Sequence, residues 1–308
     1  MFFALIVGSF FVHLLVKHYI MSTNIALVLS GGGARGLAHI GVIEELLKRD
    51  YKITSVAGTS MGALVGGVFA RGKLEEFREW VTSLDHFEIF KLVDFTLGSA
   101  GLVKGEKVLN AMKEFISDVS IEDLPIPYSA TSVDIIGHKE VVFTSGSLFD
   151  AIRASIAIPT VLTPIKKDGA VLVDGGVMNN VPISNIQRTE GDKLVVVHVN
   201  ADIPPIKPVL NKKEEAKKAS THKKWLTSFT NFLSQSKEKE HSLGFLTLID
   251  NTLTTGMLRL AQLSIEKGKP DILIETSRDI CGTYDFYKAR EVIEVGRMAA
   301  RKVLDNNG

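Results

Sequence analysis

Residues 24–36, NIALVLSGGGARG, open as an apolar run and end in three glycines, an alanine, an arginine and a fourth glycine. The run is short, aliphatic and bounded by turn residues, the pattern of a strand buried on both faces. The loop after it is nearly bare backbone. Its amide N–H groups suit a phosphate, a dinucleotide or a developing oxyanion. A helical pattern follows near 36–48, with Leu37, Ile40, Val42, Ile43, Leu46 and Leu47, and then a second strand near 53–57. This βαβ opening predicts a mainly parallel sheet covered by helices.

Gly31, Gly33 and Gly36 also spell the G-x-G-x-x-G of a dinucleotide site. That reading requires an acidic residue at the end of the second strand. Here the strand ITSVA runs into Gly58, Thr59 and Ser60, and the nearest acid, Asp50, precedes it. A Walker loop is excluded because no Gly-Lys-Ser/Thr follows the glycines. What does follow the second strand is G-x-S-x-G, Gly58-Thr59-Ser60-Met61-Gly62, leading into a helix of small residues. This is the context of a nucleophile elbow, where a sharp strand-to-helix turn tolerates no bulk beside the serine. Ser60 is the candidate nucleophile. With neighbouring parallel strands, the amides of Gly32, Gly33 and Ala34 would face the carbonyl that Ser60 attacks, joined by that of Met61.

A serine nucleophile needs a base. His198 lies inside the strand KLVVVHVN and reads as a sheet histidine, while His222 and His241 fall in a charged segment. The stronger candidate is Asp174 in AVLVDGGVMNNVPI, which ends an apolar strand and precedes Gly175 and Gly176. Locally the same residues also fit a hairpin turn. A carboxylate with a pKa near 4 is a mediocre base for a hydroxyl, so such a pair must lean on its oxyanion site.

SGGGARG, GTSMG and VDGG, in that order, together with ASIAIP at 154–159, resemble the patatin-like phospholipase family, especially its compact bacterial members. The resemblance covers roughly residues 24–200. It implies a three-layer α/β/α fold and a Ser60–Asp174 dyad without a catalytic histidine. It further implies an oxyanion site on the Gly31–Gly33 loop, and hydrolysis of lipid acyl esters. Arg35 stands where the family carries Arg or Lys, and either orients the loop, meets a phosphate or fixes the start of the helix that includes Gly36. Acyl transfer to an alcohol would use the same residues, and a lipid-sensing protein would keep the same fold.

The remaining composition sets bounds on partners. With 308 residues and a formal charge of +1, nothing suggests a nucleic-acid partner. The single cysteine, Cys281, excludes an internal disulfide framework, and no ligand cluster implies a metal or cofactor. A lipid or acyl-ester substrate and a cytoplasmic location are expected; the oligomeric state is not legible. Residues 1–21 begin with a mostly apolar stretch shorter than a bilayer span. A signal anchor, a membrane-associating arm, and translated sequence upstream of a start at Met21 all stay open. Residues 22–308 then form one domain, with a proline- and charge-rich excursion near 204–240. Within it, residues 221–240 place Trp225, Leu226, Phe229, Phe232 and Leu233 on one helical face beside lysines. That face suits either a membrane surface or the body of the domain.

Overall fold

The computed structural model describes residues 22–92, 104–159, 161–208 and 245–306. The apolar N-terminal segment, the 221–240 face and nearly all of the charged excursion lie outside those residues. No helix among the described residues is long and apolar enough to cross a membrane.

Eight strands make one sheet: β1 (Thr23–Leu29), β2 (Tyr51–Thr59), β3 (Tyr128–Asp134), β4 (Lys139–Phe143), β5 (Ile165–Lys167), β6 (Ala170–Asp174), β7 (Lys193–Ala201) and β8 (Ile272–Ser277). Their order is β5-β6-β3-β2-β1-β7-β8, with β4 also paired to β3. Strands β3, β2, β1, β7 and β8 pair in parallel, and the flank formed by β4, β5 and β6 pairs antiparallel. The helices are α1 (Ala38–Lys48), entered through a 3₁₀ turn at Gly33–Leu37, α2 (Met61–Ala70), α3 (Leu74–Ser83), α4 (His86–Leu92), α5 (Glu106–Lys113), α6 (Leu148–Ser155), α7 (Phe245–Gly268) and α8 (Ala289–Asp305).

Alternation along β1 divides the interior into two layers. Ile25, Leu27 and Leu29 join a large core with residues of α1, α2 and α8, whereas Val28 joins a smaller one with Val181, Val196 and Ala261 of α7. A sheet buried on both faces explains why these strands read as continuous apolar runs. The result is the three-layer α/β/α arrangement that the resemblance implies, with the mainly parallel sheet that the βαβ opening predicts.

Three elements were not legible in the sequence. Strand β5 has three residues, two of them lysine. Helix α4 buries no side chain, so it carries no core-facing stripe. Helix α6 is the opposite case: every residue except Asp150 is buried, the polar Arg153 and Ser155 included, so its burial is set by tertiary contacts rather than by side-chain type.

Helices α1 and α8 cross at unusually short range because glycine sits on both sides of the contact. A Cβ on Gly296 would run into the Ala38 carbonyl, and one on Gly41 would run into the Ile293 carbonyl. Beside this contact Arg301 Nε donates to the buried Glu45 at 3.0 Å. Because the obstacles are backbone atoms, no rotamer change relieves them. Gly296→Ala is expected to destabilise the fold by about 3 kcal/mol, the upper end of ordinary overpacking, read as a lowered midpoint in urea denaturation.

Candidate active site

Strand register brings the candidate residues together. Leu29 of β1 opposes Gly58 of β2, so the glycine loop after β1 and the turn after β2 leave the sheet side by side. One strand over, Thr59 opposes Thr131 of β3, and the next β3 residue, Ser132, opposes Asp174 of β6. Ser60, which follows Thr59, therefore reaches the level of Asp174 although β6 runs against β3.

Ser60 sits at φ 55° and ψ −123°, a left-handed conformation that costs a non-glycine residue of order 1–3 kcal/mol. Its N–H donates to Ser155 Oγ at 2.9 Å, and Ser155 Oγ donates in turn to the Thr131 carbonyl at 2.6 Å. Its carbonyl accepts the Leu64 N–H at 3.1 Å, which starts α2 immediately after the turn. The turn also presses against β1: a Cβ on Gly62 would meet the Leu29 and Ser30 carbonyls. The G-x-S-x-G spacing is thus a packing requirement at this point of the fold.

Asp174 is 3 % exposed. Its N–H donates to the Ala157 carbonyl at 2.9 Å and its carboxylate accepts the Gly176 N–H at 2.7 Å. The local alternative, a hairpin, is not what forms: Asp174 caps a 3₁₀ turn at Gly175–Val177. Burial raises its pKa to about 6, against the opposing pull of the facing Ser60 hydroxyl and the Gly176 amide. That moves it from a mediocre base toward one matched to neutral pH. No histidine hydrogen-bonds to Ser60 or Asp174 among the described residues; His198 is buried in β7 with Nδ1 3.4 Å from Glu275.

The glycine loop differs in detail from expectation. The Gly31 N–H donates to the Asn180 carbonyl at 3.0 Å and the Ala34 N–H to the Thr283 carbonyl at 2.8 Å. Both amides are committed, which removes Gly31 and Ala34 from the set of available donors. The amides of Gly32, Gly33 and Met61 have no partner among the described hydrogen bonds. They lie where the Gly33–Leu37 turn into α1 and the start of α2 meet, two helix N-termini that favour negative charge.

Arg35 is spent on structure. Its Nε donates to Asn200 at 2.8 Å, and its Nη atoms reach the Arg278 and Cys281 carbonyls and the Thr283 hydroxyl at 3.3–3.5 Å. It ties the glycine loop to the 278–283 loop after β8. Gly36 packs on the Met61 side chain. Cys281 is buried, which pushes its thiol up to about 11. Among the described residues no group of three or more His, Cys, Asp or Glu is arranged to hold a metal ion.

Sequence reading passed over three residues of this site. Ser155 braces the elbow from α6, Asn200 receives Arg35 from the end of β7, and Asn180 lies between the glycine loop and the Asp174 turn. The run Asn179-Asn180-Val181-Pro182 after the two glycines was the available signal for Asn180. Ser155 lies inside the ASIAIP stretch, which marks the segment but not the role of the serine, and nothing local marks Asn200.

Two consequences are measurable. Ser155→Ala leaves the buried Ser60 N–H without its acceptor and is expected to cost about 1–3 kcal/mol in thermal or urea unfolding. For Asp174 the folded pKa of about 6 lies above the ordinary value of 3.8. The stabilising effect of its proton is complete below about pH 4 and is lost as pH rises through 6. Asp174→Asn is therefore expected to raise stability at pH 8 by roughly 2–3 kcal/mol and to change little at pH 4, as followed by unfolding midpoints across that range.

The family model described as patatin-like phospholipase matches residues 27–185. An uncharacterized NTE family protein of Mycobacterium tuberculosis is 34% identical over 331 residues, covering 92% of this chain and 92% of that protein. Neuropathy target esterase sws of Drosophila melanogaster is 30% identical over 193 residues, 60% of this chain and 14% of its own length. Among solved structures, VipD from Legionella pneumophila aligns with a TM-score of 0.46 at 15% identity, covering 92% of this chain and 67% of that one.

Proposed function

The chain belongs to the patatin-like phospholipase family, and from that premise we propose that it is a serine lipid acyl hydrolase using Ser60 as nucleophile and Asp174 as base. Family membership supports hydrolysis of lipid esters in general. The dyad itself is inferred from one observation: a serine held in a left-handed strand-to-helix turn with its hydroxyl facing a buried carboxylate of raised pKa.

The chemistry follows from those groups. Asp174 takes the Ser60 proton as Oγ adds to the ester carbonyl, and the oxyanion is received by the amides of Gly32, Gly33 and Met61. Collapse expels the alcohol or lysolipid, which takes the proton back from Asp174 and leaves an acyl group on Ser60. Water then cleaves that ester with Asp174 again as base. Arg35 contributes by holding the glycine loop against the 278–283 loop rather than by meeting substrate. Gly58, Gly62, Gly175 and Gly176 contribute by letting the two turns close on the sheet.

The test is intact-mass analysis after treatment with a fluorophosphonate, on wild type, Ser60→Ala and Asp174→Asn. One adduct that is absent in Ser60→Ala and forms at least 100-fold more slowly in Asp174→Asn is expected, about the scale of losing a general base. An unlabelled wild type, or labelling unaffected by Asp174→Asn, would overturn the dyad. In the wild type kcat/KM for a soluble ester should fall about tenfold per pH unit below about 6 and level off above it, because the carboxylate must be ionised.

A further inference from the structure

Asn180 is 2 % exposed, and its side-chain oxygen has no hydrogen-bond partner. A buried acceptor without a donor is costly, so this one calls for a donor that arrives from outside the fold. Its location indicates which. The backbone carbonyl of Asn180 holds the Gly31 amide at 3.0 Å, fixing the residue against the glycine loop. Its Oδ1 occupies the space a Gly31 side chain would need, and that same space borders the Ser60 Cβ at 3.1 Å. On the other side, the position of a Gly176 Cβ lies 3.2 Å from Asn180 Oδ1 and 3.0 Å from Asp174 Oδ1. Within this small volume the empty acceptor, the nucleophile and the base are neighbours, and the Met257 methyl group of α7 walls the Gly176 side.

We propose that Asn180 Oδ1 holds the water that releases the acyl group from Ser60, and thereby favours hydrolysis over transfer to an alcohol. The inference rests on the Ser60–Asp174 reading. Water has two protons to give. One hydrogen bond goes to Asp174, which removes that proton as the water oxygen adds to the acyl carbonyl. The other goes to Asn180 Oδ1 and stays on the attacking oxygen. When the carbonyl reforms, the bond from carbon to Ser60 Oγ breaks, Oγ recovers the proton from Asp174, and the carboxylic acid departs with the second proton. Acyl-enzyme and water thus give free serine and acid with nothing left over. An alcohol brings one O–H, which Asp174 needs, and presents carbon where Asn180 Oδ1 requires a donor. The buried amide oxygen is satisfied by water and unsatisfied by the competitor, the kind of asymmetry that sites use to discriminate.

The experiment partitions the acyl-enzyme between two acceptors. Wild type, Asn180→Ala and Asn180→Ser are supplied with p-nitrophenyl butyrate in buffer containing methanol, and butyric acid and methyl butyrate are quantified by gas chromatography. Fluorophosphonate labelling of each variant reports whether Ser60 and its oxyanion site are intact. The expected result is a shift of the acid-to-ester ratio toward ester by about tenfold in Asn180→Ala, the worth of one hydrogen bond, with a smaller shift in Asn180→Ser and near wild-type labelling in both. An unchanged ratio, or a ratio that moves only together with lost labelling, overturns the role of Asn180. Intact mass of quenched wild-type reactions separates the two levels: if no butyryl group is ever found on Ser60, the dyad reading falls and takes this inference with it. A butyryl group on Ser60 with an unchanged ratio removes the Asn180 inference alone.

Discussion

The parallel pairing of β1 with β2, with Leu29 set against Gly58, is the constraint on which the rest of the site depends. It places two loops of minimal side-chain bulk next to each other at one end of the sheet. It also requires the turn into α2 to pass so close to β1 that Gly62 lies on the Leu29 and Ser30 carbonyls. Strain at Ser60 is the product of that closeness. A serine at φ 55° persists because its N–H is held by Ser155 and its carbonyl begins α2, so the surrounding structure leaves it no relaxed alternative.

Electrostatically the site concentrates opposites. Two helix N-termini and the amides of Gly32, Gly33 and Met61 favour negative charge at one point. The charge of Asp174 is penalised by burial and moderated by one amide and one hydroxyl. In the proposed mechanism that tension is functional: a carboxylate poorly solvated in the resting protein is a better base, and donors already in place need no reorganisation when an oxyanion forms. The stability given up at Asp174 is of the kind that functional sites withhold from the rest of a fold.

How far the sequence could be read varied with how local the cause was. The βαβ opening, the strands β3, β6, β7 and β8 and the helices α1, α2 and α8 follow from apolar runs and helical periodicity, since their burial is written into side-chain type. Helix α6 was not read because it is only 8 residues long and buries Arg153 and Ser155 against their polarity, and α4 because burying nothing leaves no stripe. Ser60 and Asp174 stood out because each ends a strand beside glycines. Ser155, Asn200 and Asn180 did not, because their roles depend on partners between 95 and 165 residues away in sequence that meet them only through the closed sheet.

By itself, then, the sequence determined the fold class and nominated a serine and an aspartate, because glycine spacing and strand periodicity are local consequences of backbone sterics and burial. Only the tertiary structure decided which amides remain available. Gly31 and Ala34 donate to carbonyls contributed by Asn180 and Thr283, and Arg35 turns to a loop more than 240 residues further along. The pKa of Asp174 and the empty acceptor on Asn180 were likewise settled by packing. Both are properties of a desolvated space that exists only once β1, β2, β3 and β6 are in register.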